Sequence, residues 1–340
     1  MEQVDLHRYE AGGILGTGAD YEVRGAVERQ TGRPVVLKRP HPQAVRHRLH
    51  DGIEARTELM LTAFRGVGSA VPALVPILGY TERANHDAYF GDAVGQDYRV
   101  IVQARAPGIP LVGDPMARIT GVPIGIGQNL FALFPLIRPE GAPSFTIQRQ
   151  LLDLEEAFSR AGYLLLDLRP QNVFYQPATG RIAAIDCGAL VGNNGEPDRR
   201  GRRPRDLHDF YLEMLKFYTT PLRPPTQASG YREPYGLRPV ANFEDELGRL
   251  AQQFGAVPDA LVRDTAVAMI GRLRQRNYAL LGDFRHDLLA CLEAVDTAYQ
   301  ALPNLTEARQ VWTEALNYLR ADYWQRYLFD PDSELAGFGG

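Results

Sequence analysis

Residues 161–190, AGYLLLDLRPQNVFYQPATGRIAAIDCGAL, constrain the fold of this chain more than any other stretch. They predict two short apolar strands, near residues 164–166 and 173–175, and a third strand at 182–185 after a Pro/Thr/Gly turn. Groups that bind metal ions or accept protons lie at the edges of these strands, namely Asp167, Asn172 and Asp186. Because a strand end has a rigid backbone, it can aim such groups at one point. The stretch therefore indicates a functional site, although the sequence DLRPQN alone is also compatible with a simple polar turn.

The composition is that of an ordinary globular protein with one large or two medium domains, since the 340 residues are 45% hydrophobic and 23% charged. A formal net charge of −4 gives no reason to expect general affinity for nucleic acids or membranes. The two cysteines, Cys187 and Cys291, are too few for a disulfide framework and lack the spacing of a zinc site. No stretch approaches the roughly 20 apolar residues of a membrane span, and the polar N-terminus lacks a signal-peptide core. We therefore expect a cytoplasmic protein without membrane contact.

Residues 14–38 predict an antiparallel meander of three strands. Gly16-Thr-Gly18 forms its first turn, and the strands at 21–27 and 34–38 follow. Glycines at a bend let backbone N–H groups approach a polyphosphate without a Cβ clash. A plain hairpin turn is the alternative interpretation of the two glycines.

Taken together, these motifs resemble the protein kinase-like superfamily in their order and separation. Gly16, Gly18 and Val23 match its glycine loop, except that Tyr21 stands in place of the third glycine. The sequence VVLK ends in Lys38, where the family has a lysine that contacts the α- and β-phosphates of ATP. D-x-x-x-x-N at 167–172 and Asp-x-Gly at 186–188 match its catalytic and magnesium loops.

The resemblance implies specific roles in the second half of the site. Asp167 would orient or deprotonate the acceptor hydroxyl, and Arg169 would lie against the transferring phosphate. Asn172 and Asp186 would hold Mg²⁺ under the ATP phosphates, in keeping with the preference of this ion for hard oxygen ligands.

A helix is predicted at 52–65, with Asp51 as a plausible N-cap. In the family, a glutamate on the corresponding helix pairs with the strand lysine. Glu58, twenty residues after Lys38, is our choice, and Glu54, one helical turn earlier, is the alternative. An exposed helix glutamate is the simpler interpretation of either residue.

The segment YRVIVQARAPGIPL predicts a last N-terminal strand at 98–103 that runs into a hinge. By resemblance, backbone groups of residues from Gln103 to Arg105 would contact the adenine edge. An earlier strand is predicted at 80–83.

The chain departs from the family pattern at several positions. Leu165 and Leu166 replace the His and Arg before the catalytic Asp, so we expect no control by phosphorylation of an activation loop. Cys187 stands where the family has Phe, and a small buried filler is its simplest interpretation. The segment 189–205 is short and lacks an APE motif, which is closer to compact relatives such as the aminoglycoside phosphotransferases.

This short segment is rich in arginine, with Arg199, Arg200, Arg202, Arg203 and Arg205. The cluster indicates attraction for an acidic or phosphorylated substrate or for RNA, with a solvated basic loop as the alternative. At the start of the following predicted helix, Asp206 or Asp209 resembles the family aspartate that hydrogen-bonds the catalytic loop.

We therefore expect an α+β chain with a bilobal protein kinase-like fold. Residues 1–103 would form an N-lobe with an antiparallel sheet and one main helix, and residues 104–340 a mainly helical C-lobe. The C-lobe would include the Gly/Pro-rich stretch 107–144 as an irregular or inserted segment. Further helices are predicted near 128–134, 145–161, 206–218, 243–254, 258–277, 284–302 and 305–327. The expected activity is transfer of the γ-phosphoryl group of ATP, with Mg²⁺, to a protein Ser or Thr. A small-molecule kinase and a nucleotide-binding pseudokinase scaffold are the alternatives.

Overall fold

The computed structural model describes residues 1–18, 20–42, 50–67, 71–92, 94–111, 143–186, 190–193, 205–219, 242–307, 310, 317, 321 and 323–326. Strands and helices are both present, which confirms the expected α+β class. The chain divides into two compact units, Met1–Ala106 with Asp186–Val191, and Pro107–Ile185 with Gly192–Gly340. The sequence predicted one boundary, between residues 103 and 104, and no return of the chain to the first unit.

The first unit is built on a six-stranded sheet with the strand order β1-β5-β6-β4-β3-β2. Neighbouring strands are antiparallel, except that β1 and β5 are parallel. The predicted meander is confirmed as β2, β3 and β4, in which Val23 lies opposite Gly16 on one side and Lys38 on the other. The strands are β1 (Glu2–Gln3), β2 (Tyr9–Thr17), β3 (Tyr21–Glu28), β4 (Pro34–Pro40), β5 (Ile77–Tyr80) and β6 (Ile101–Ala104).

Two predicted strands of this sheet are displaced. The strand predicted at 80–83 forms earlier, because β1 pairs with Gly79 and Tyr80. A Cβ on Gly79 would lie 2.6 Å from Val4 Cγ1, so this close pairing requires glycine. The strand predicted at 98–103 begins at Ile101, and Tyr98 makes only an isolated bridge to Ala84.

One long helix, α1 (His50–Val67), and one short helix, α2 (Asp87–Phe90), complete this unit. Helix α1 begins before the predicted residue 52, so Asp51 lies inside its first turn and the N-cap prediction is wrong. Buried apolar residues on the sheet form a core cluster that includes Leu37, Tyr98 and Val102.

Strand β4 is held in place by Arg39, whose side chain is fully buried. Its two Nη atoms reach the two carboxylate oxygens of Asp92 at 2.6 and 2.7 Å, and its Nε donates to Glu22 Oε1 at 2.9 Å. The guanidinium also lies over the Phe90 ring, 4.4 Å from its centroid. Because consecutive strand residues point to opposite faces, this network fixes β4 from the face opposite to Lys38.

The second unit contains a small antiparallel sheet in the order β10-β9-β7 and several long helices. Gly108 precedes β7 with a φ of 87°, and a Cβ there would lie 2.2 Å from Tyr175 O, so only glycine allows this approach of β7 to β9. The elements are β7 (Ile109–Pro110), α3 (Thr146–Arg160), β8 (Tyr163–Leu164), β9 (Val173–Gln176), β10 (Arg181–Ala184), β11 (Val191–Gly192), α4 (Leu207–Tyr218), α5 (Phe243–Gly255), α6 (Ala260–Arg274) and α7 (Leu281–Gln300).

Helix α4 is the central helix of this unit. Its residues from Phe210 to Tyr218 are all buried, including Glu213 and Lys216. The Tyr211 ring stacks on Phe284 of α7 with centroids 4.2 Å apart. A helix that is apolar around its whole circumference belongs in a core, and its few charged residues must find buried partners.

Most predicted elements of this unit are confirmed with small shifts. The strands predicted at 164–166, 173–175 and 182–185 correspond to β8, β9 and β10, and α3 to α7 correspond to the helices predicted between residues 145 and 302. The helix predicted at 305–327 is described only in part, with a 3₁₀ helix at Tyr323–Arg326. The helix near 128–134 and most of the stretch 107–144 lie outside the described residues. Within the described part of the chain, no helix has the length and apolar character needed to cross a membrane.

Candidate active site

In the first unit, Lys38 and Asp186 form an ion pair. Lys38 Nζ lies 3.7 Å from Asp186 Oδ1, which is longer than a hydrogen bond. The lysine side chain is only 8% exposed, whereas the aspartate side chain is 39% exposed. The structure therefore brings together two predicted site residues that lie far apart in the sequence, a buried cation and a carboxylate that solvent can reach.

The predicted partner of Lys38, Glu58, does not contact it in this structure. The Glu58 side chain is 67% exposed, and Arg99 Nη2 lies 3.6 Å from its Oε1. The alternative, Glu54, is buried and also pairs with Arg99. Arg99, which directly precedes the last strand region of this unit, thus pairs with both glutamates of α1.

The glycine turn lies at the edge of the sheet. Gly16 is part of β2, opposite Val23, and the Gly18 N–H donates to Tyr21 O at 2.8 Å. Both glycines are exposed, whereas Tyr21, which replaces the third glycine of the motif, is buried. The backbone of the turn is thus accessible, and its tyrosine belongs to the core.

The predicted adenine contacts are placed differently from the expectation. Gln103 lies within β6, in the ladder between β4 and β5, and its side-chain Nε2 donates to Val75 O at 3.0 Å. The N–H of Ala104 donates to Pro76 O at 3.0 Å. The Gln103 side chain and the Ala104 N–H are therefore both engaged by the segment that precedes β5.

In the second unit, Asp167 has a left-handed backbone conformation, which is uncommon for residues other than glycine and which aspartate adopts more readily than most. Its φ is 63°, in the left-handed region that favours glycine. Arg169 holds its carboxylate from two sides, with Nε 2.5 Å from Oδ1 and Nη2 3.0 Å from Oδ2. Asn172, in the 3₁₀ helix Pro170–Asn172, donates from Nδ2 to Asp167 O at 3.0 Å. The loop 167–172 therefore brings three predicted site residues together.

Side chains of α3 and α4 that were not predicted from the sequence hold the backbone of the same loop. Glu213 of α4 accepts the N–H groups of Asp167, at 2.8 Å, and Leu168, at 3.3 Å. Tyr218 donates its hydroxyl to Leu168 O. Glu155 of α3 accepts the N–H of Leu165 at 3.1 Å, just before the loop. All three side chains are buried.

The burial of these two acids changes their protonation behaviour. Desolvation is the largest cause that raises the pKa of Glu213 to about 7, and the Asp167 carboxylate adds to this, while the two backbone N–H bonds oppose it. Desolvation also holds the pKa of Glu155 well above its usual range, and Glu213 adds to this. The backbone at and just before the loop 167–172 is therefore hydrogen-bonded to two carboxyl groups whose ionised forms are costly to bury.

Glu213 makes hydrogen bonds to the loop of the kind that were predicted for Asp206 or Asp209. Asp206 is the N-cap of α4, and it forms a capping box with Asp209, whose Oδ2 accepts the Asp206 N–H at 3.1 Å. Asp206 also pairs with Arg276, and Asp209 with Arg205 at 3.2 Å. The helix termini use these carboxylates, and the residue that faces the loop lies nearly two turns further along α4. A sequence signal existed, since Glu213 is an acid within the apolar run FYLEMLKFY.

Other predicted positions lie outside the described residues. They are Cys187, Gly188, Arg199, Arg200, Arg202 and Arg203. Among the described residues, no group of three or more His, Cys, Asp or Glu side chains is arranged to hold a metal ion. Cys291 is a buried free thiol in α7.

No family model matches this chain, and no curated protein matches it. The geometry of the two sets of residues described above is thus the basis for any functional conclusion.

Proposed function

We propose that this chain is an ATP- and Mg²⁺-dependent phosphotransferase with a bilobal protein kinase-like fold, and that its acceptor is a protein Ser or Thr hydroxyl. The observation that carries the proposal is the backbone of Asp167. A non-glycine residue with a φ of 63° costs conformational energy, and such residues persist where surrounding groups fix them, most often at active sites. Here Glu213, Asn172 and Arg169 supply those fixing contacts.

In this proposal Asp167 acts on the acceptor hydroxyl. Its carboxylate is oriented by Arg169, and both of its backbone polar groups are held, the N–H by Glu213 and the carbonyl by Asn172. A fixed carboxylate can accept a hydrogen bond from a hydroxyl and direct its oxygen towards a phosphorus atom. Arg169 also supplies positive charge beside the place where phosphoryl charge develops.

Lys38 supports nucleotide binding in the same proposal. The Lys38 side chain is 8% exposed and its Nζ lies 3.7 Å from Asp186 Oδ1, and a lysine ammonium group is a donor suited to phosphate oxygens. The neighbouring Arg39 network fixes its strand, so the ammonium group is positioned before any ligand arrives.

In this proposal Asp186 and Asn172 are the residues that would hold Mg²⁺, because each has a side-chain oxygen of the kind this ion prefers. Asp186 offers a partly exposed carboxylate, and the Asn172 side chain, whose Nδ2 donates to Asp167 O, carries one amide oxygen. Hard oxygen ligands, one or two of them carboxylates, are what Mg²⁺ takes from proteins that bind nucleotide phosphates. When bound, the ion would offset the negative charge of the phosphoryl group during transfer.

Incubation of the purified chain with ATP labelled at the γ-phosphate and Mg²⁺ tests the proposal. We expect label on the chain or on a generic acceptor protein with the wild type, and loss of label with Asp167→Ala and with Asp186→Asn. Asp264→Asn is the matched control, because Asp264 is an exposed carboxylate of α6 that pairs only with the neighbouring Arg263 side chain among the ion pairs of the described residues. Label only on a small hydroxyl compound, such as an aminoglycoside, would change the acceptor class.

A nucleotide-binding scaffold without turnover is the second candidate. It is favoured by the exposed position of Glu58 and its pairing with Arg99, since active protein kinases require a glutamate beside the strand lysine. In the same assay a scaffold would bind ATP but would label neither itself nor any acceptor and would release no phosphate.

A further inference from the structure

We infer that the Tyr21 hydroxyl is a positioning group for the nucleotide, because it ties the strand that leaves the glycine turn to helix α1. The inference rests on the proposed function and names a residue that the family motif does not contain at this position. It concerns the first unit alone.

The contact itself is short and buried. Tyr21 is 8% exposed, and its hydroxyl lies 2.7 Å from Thr57 Oγ1. Ile53 O accepts from the Thr57 hydroxyl at 2.9 Å within α1 and lies 3.4 Å from the Tyr21 hydroxyl, so the two hydroxyls and this carbonyl form one buried hydrogen-bonded group. Tyr21 and Ile53 also form a small buried apolar cluster of their own. The tyrosine is therefore held to α1 both by its ring and by its hydroxyl.

A second contact connects the same two elements. Arg56 Nη1 of α1 lies 2.6 Å from Asp20 Oδ2, and Asp20 directly precedes Tyr21. Both contacts join α1 to the residues at the start of β3, whereas Gly16 and Gly18 are exposed. A turn that offers its backbone to a ligand needs its ends fixed from elsewhere, and Asp20 and Tyr21 fix one end.

The hydroxyl of Tyr21 also lies within electrostatic range of the candidate site. Burial is the main cause that raises the pKa of this phenol, and the charges of Asp20 and Asp186 add to it. Asp186 is the ion-pair partner of Lys38, and Lys38 lies opposite Val23, two residues after Tyr21. Helix α1 is thus coupled to the lysine strand through Tyr21, while its glutamates pair with Arg99.

Calorimetric titration with Mg²⁺–ATP tests the inference on the full chain. The variants are Tyr21→Phe, Thr57→Val, their combination, and Thr57→Ser, which keeps the hydroxyl. Two matched controls remove similar groups of the same unit. Tyr89→Phe removes a phenol that donates to Tyr9 O, and Thr62→Val removes an exposed helix hydroxyl that donates to Glu58 O.

We expect Tyr21→Phe and Thr57→Val each to raise the Kd by about three- to tenfold, the effect of losing one hydrogen bond. The double variant should be no weaker than either single variant, because both remove the same contact. Thr57→Ser and both controls should bind as the wild type does. A loss of folding alone would not produce this pattern, since Kd is measured on folded protein and Tyr89→Phe carries a similar loss.

Three results would overturn the inference. They are wild-type affinity in Tyr21→Phe, additive effects in the double variant, or equal weakening by the controls. If the wild type binds Mg²⁺–ATP and Tyr21→Phe binds it equally well, the inference fails while the proposed function stands. If the wild type binds no nucleotide, both fail.

Discussion

Each unit of the molecule contains one lysine that is almost completely buried, and the two lysines are held differently. Lys216 of the second unit is 2% exposed, and its Nζ donates to Glu246 Oε1 at 2.8 Å. Lys38 of the first unit is 6% exposed, but its Nζ lies 3.7 Å from Asp186 Oδ1. The Glu246 side chain is 8% exposed, whereas that of Asp186 is 39% exposed.

This difference separates a structural ion pair from a candidate ligand site. Lys216 and Glu246 form a hydrogen-bonded pair that joins α4 to α5, where removing one partner would leave the other charge buried. Lys38 has the same chemistry, yet its carboxylate partner reaches solvent and the two groups stand apart. In the proposed function the second pair is the one that a phosphate would approach, because its carboxylate is partly exposed.

The largest expected effect separates the two lysines by activity. Lys38→Met should reduce kcat/KM for phosphoryl transfer by about 100- to 1,000-fold, the effect of removing a charged group that stabilises a transition state. Its thermal unfolding midpoint should stay near that of the wild type, since solvent already reaches Asp186. Steady-state assays beside thermal unfolding check both parts. Equal loss of activity in Lys216→Met, measured per folded molecule, would break the comparison.

The second effect separates the two lysines by stability. Lys216→Met should lower the free energy of unfolding by about 3 kcal/mol, because Glu246 would be left as a buried and poorly paired charge. Chemical denaturation measures this change. The double variant Lys216→Met/Glu246→Leu should recover most of the loss, since it removes both charges. A single variant as stable as the wild type would show that the pair is not a structural one.

A third prediction uses Glu213, a buried acid of α4 that lies close to the charged groups of Asp167, Arg205 and Glu155. A folded pKa of about 7 against an ordinary value of 4.5 means that the folded state holds its proton more tightly. The contribution of Glu213 to the free energy of unfolding is therefore fully present below pH 4.5. It decreases by on the order of 3 kcal/mol as the pH rises through about 7.

Chemical denaturation at several pH values checks the sign. The stability of the wild type relative to Glu213→Gln should fall between pH 4.5 and about 7. The exposed Glu293→Gln serves as the control and should show no such trend against the wild type. A difference that instead grows with pH would mean that the carboxylate form is the one the fold favours.

The smallest expected effect concerns Glu58. Because its side chain is 67% exposed and its ion pair with Arg99 is long, Glu58→Gln should change stability by less than about 0.5 kcal/mol. The activity should also stay close to that of the wild type if Lys38 works without this glutamate. Activity reduced as far as in Lys38→Met would mean that Glu58 reaches Lys38 in the working state, and the open pair described here would then be only a resting arrangement.

The parts of the fold that local sequence specifies were predictable. Strands β2 to β4 follow from alternating residues and from turns rich in glycine, and α5 to α7 from apolar periodicity. Strand β1 has only two residues and pairs with β5 across more than seventy positions, so no local pattern indicates it. The return of Asp186–Val191 to the first unit is likewise a tertiary property.

The candidate site shows the same limit. The spacing from Asp167 to Asn172 identified a loop whose residues do contact one another. The partners of that loop, Glu155 and Glu213, depend on how α3 and α4 pack, and sequence position alone favoured the wrong acids at the start of α4. Glu58 was predicted from its separation from Lys38 along the sequence. In the structure it pairs with Arg99, which lies just before β6 and could not be identified as its partner from the sequence.

Calorimetric titration of Mg²⁺–ATP into the wild type, Lys38→Met and Lys216→Met tests the central claim most directly. We expect the wild type and Lys216→Met to bind with the same affinity, and Lys38→Met to bind with a clearly higher Kd. The account would be contradicted if Lys38→Met bound as tightly as the wild type, or if the folded wild type bound no nucleotide.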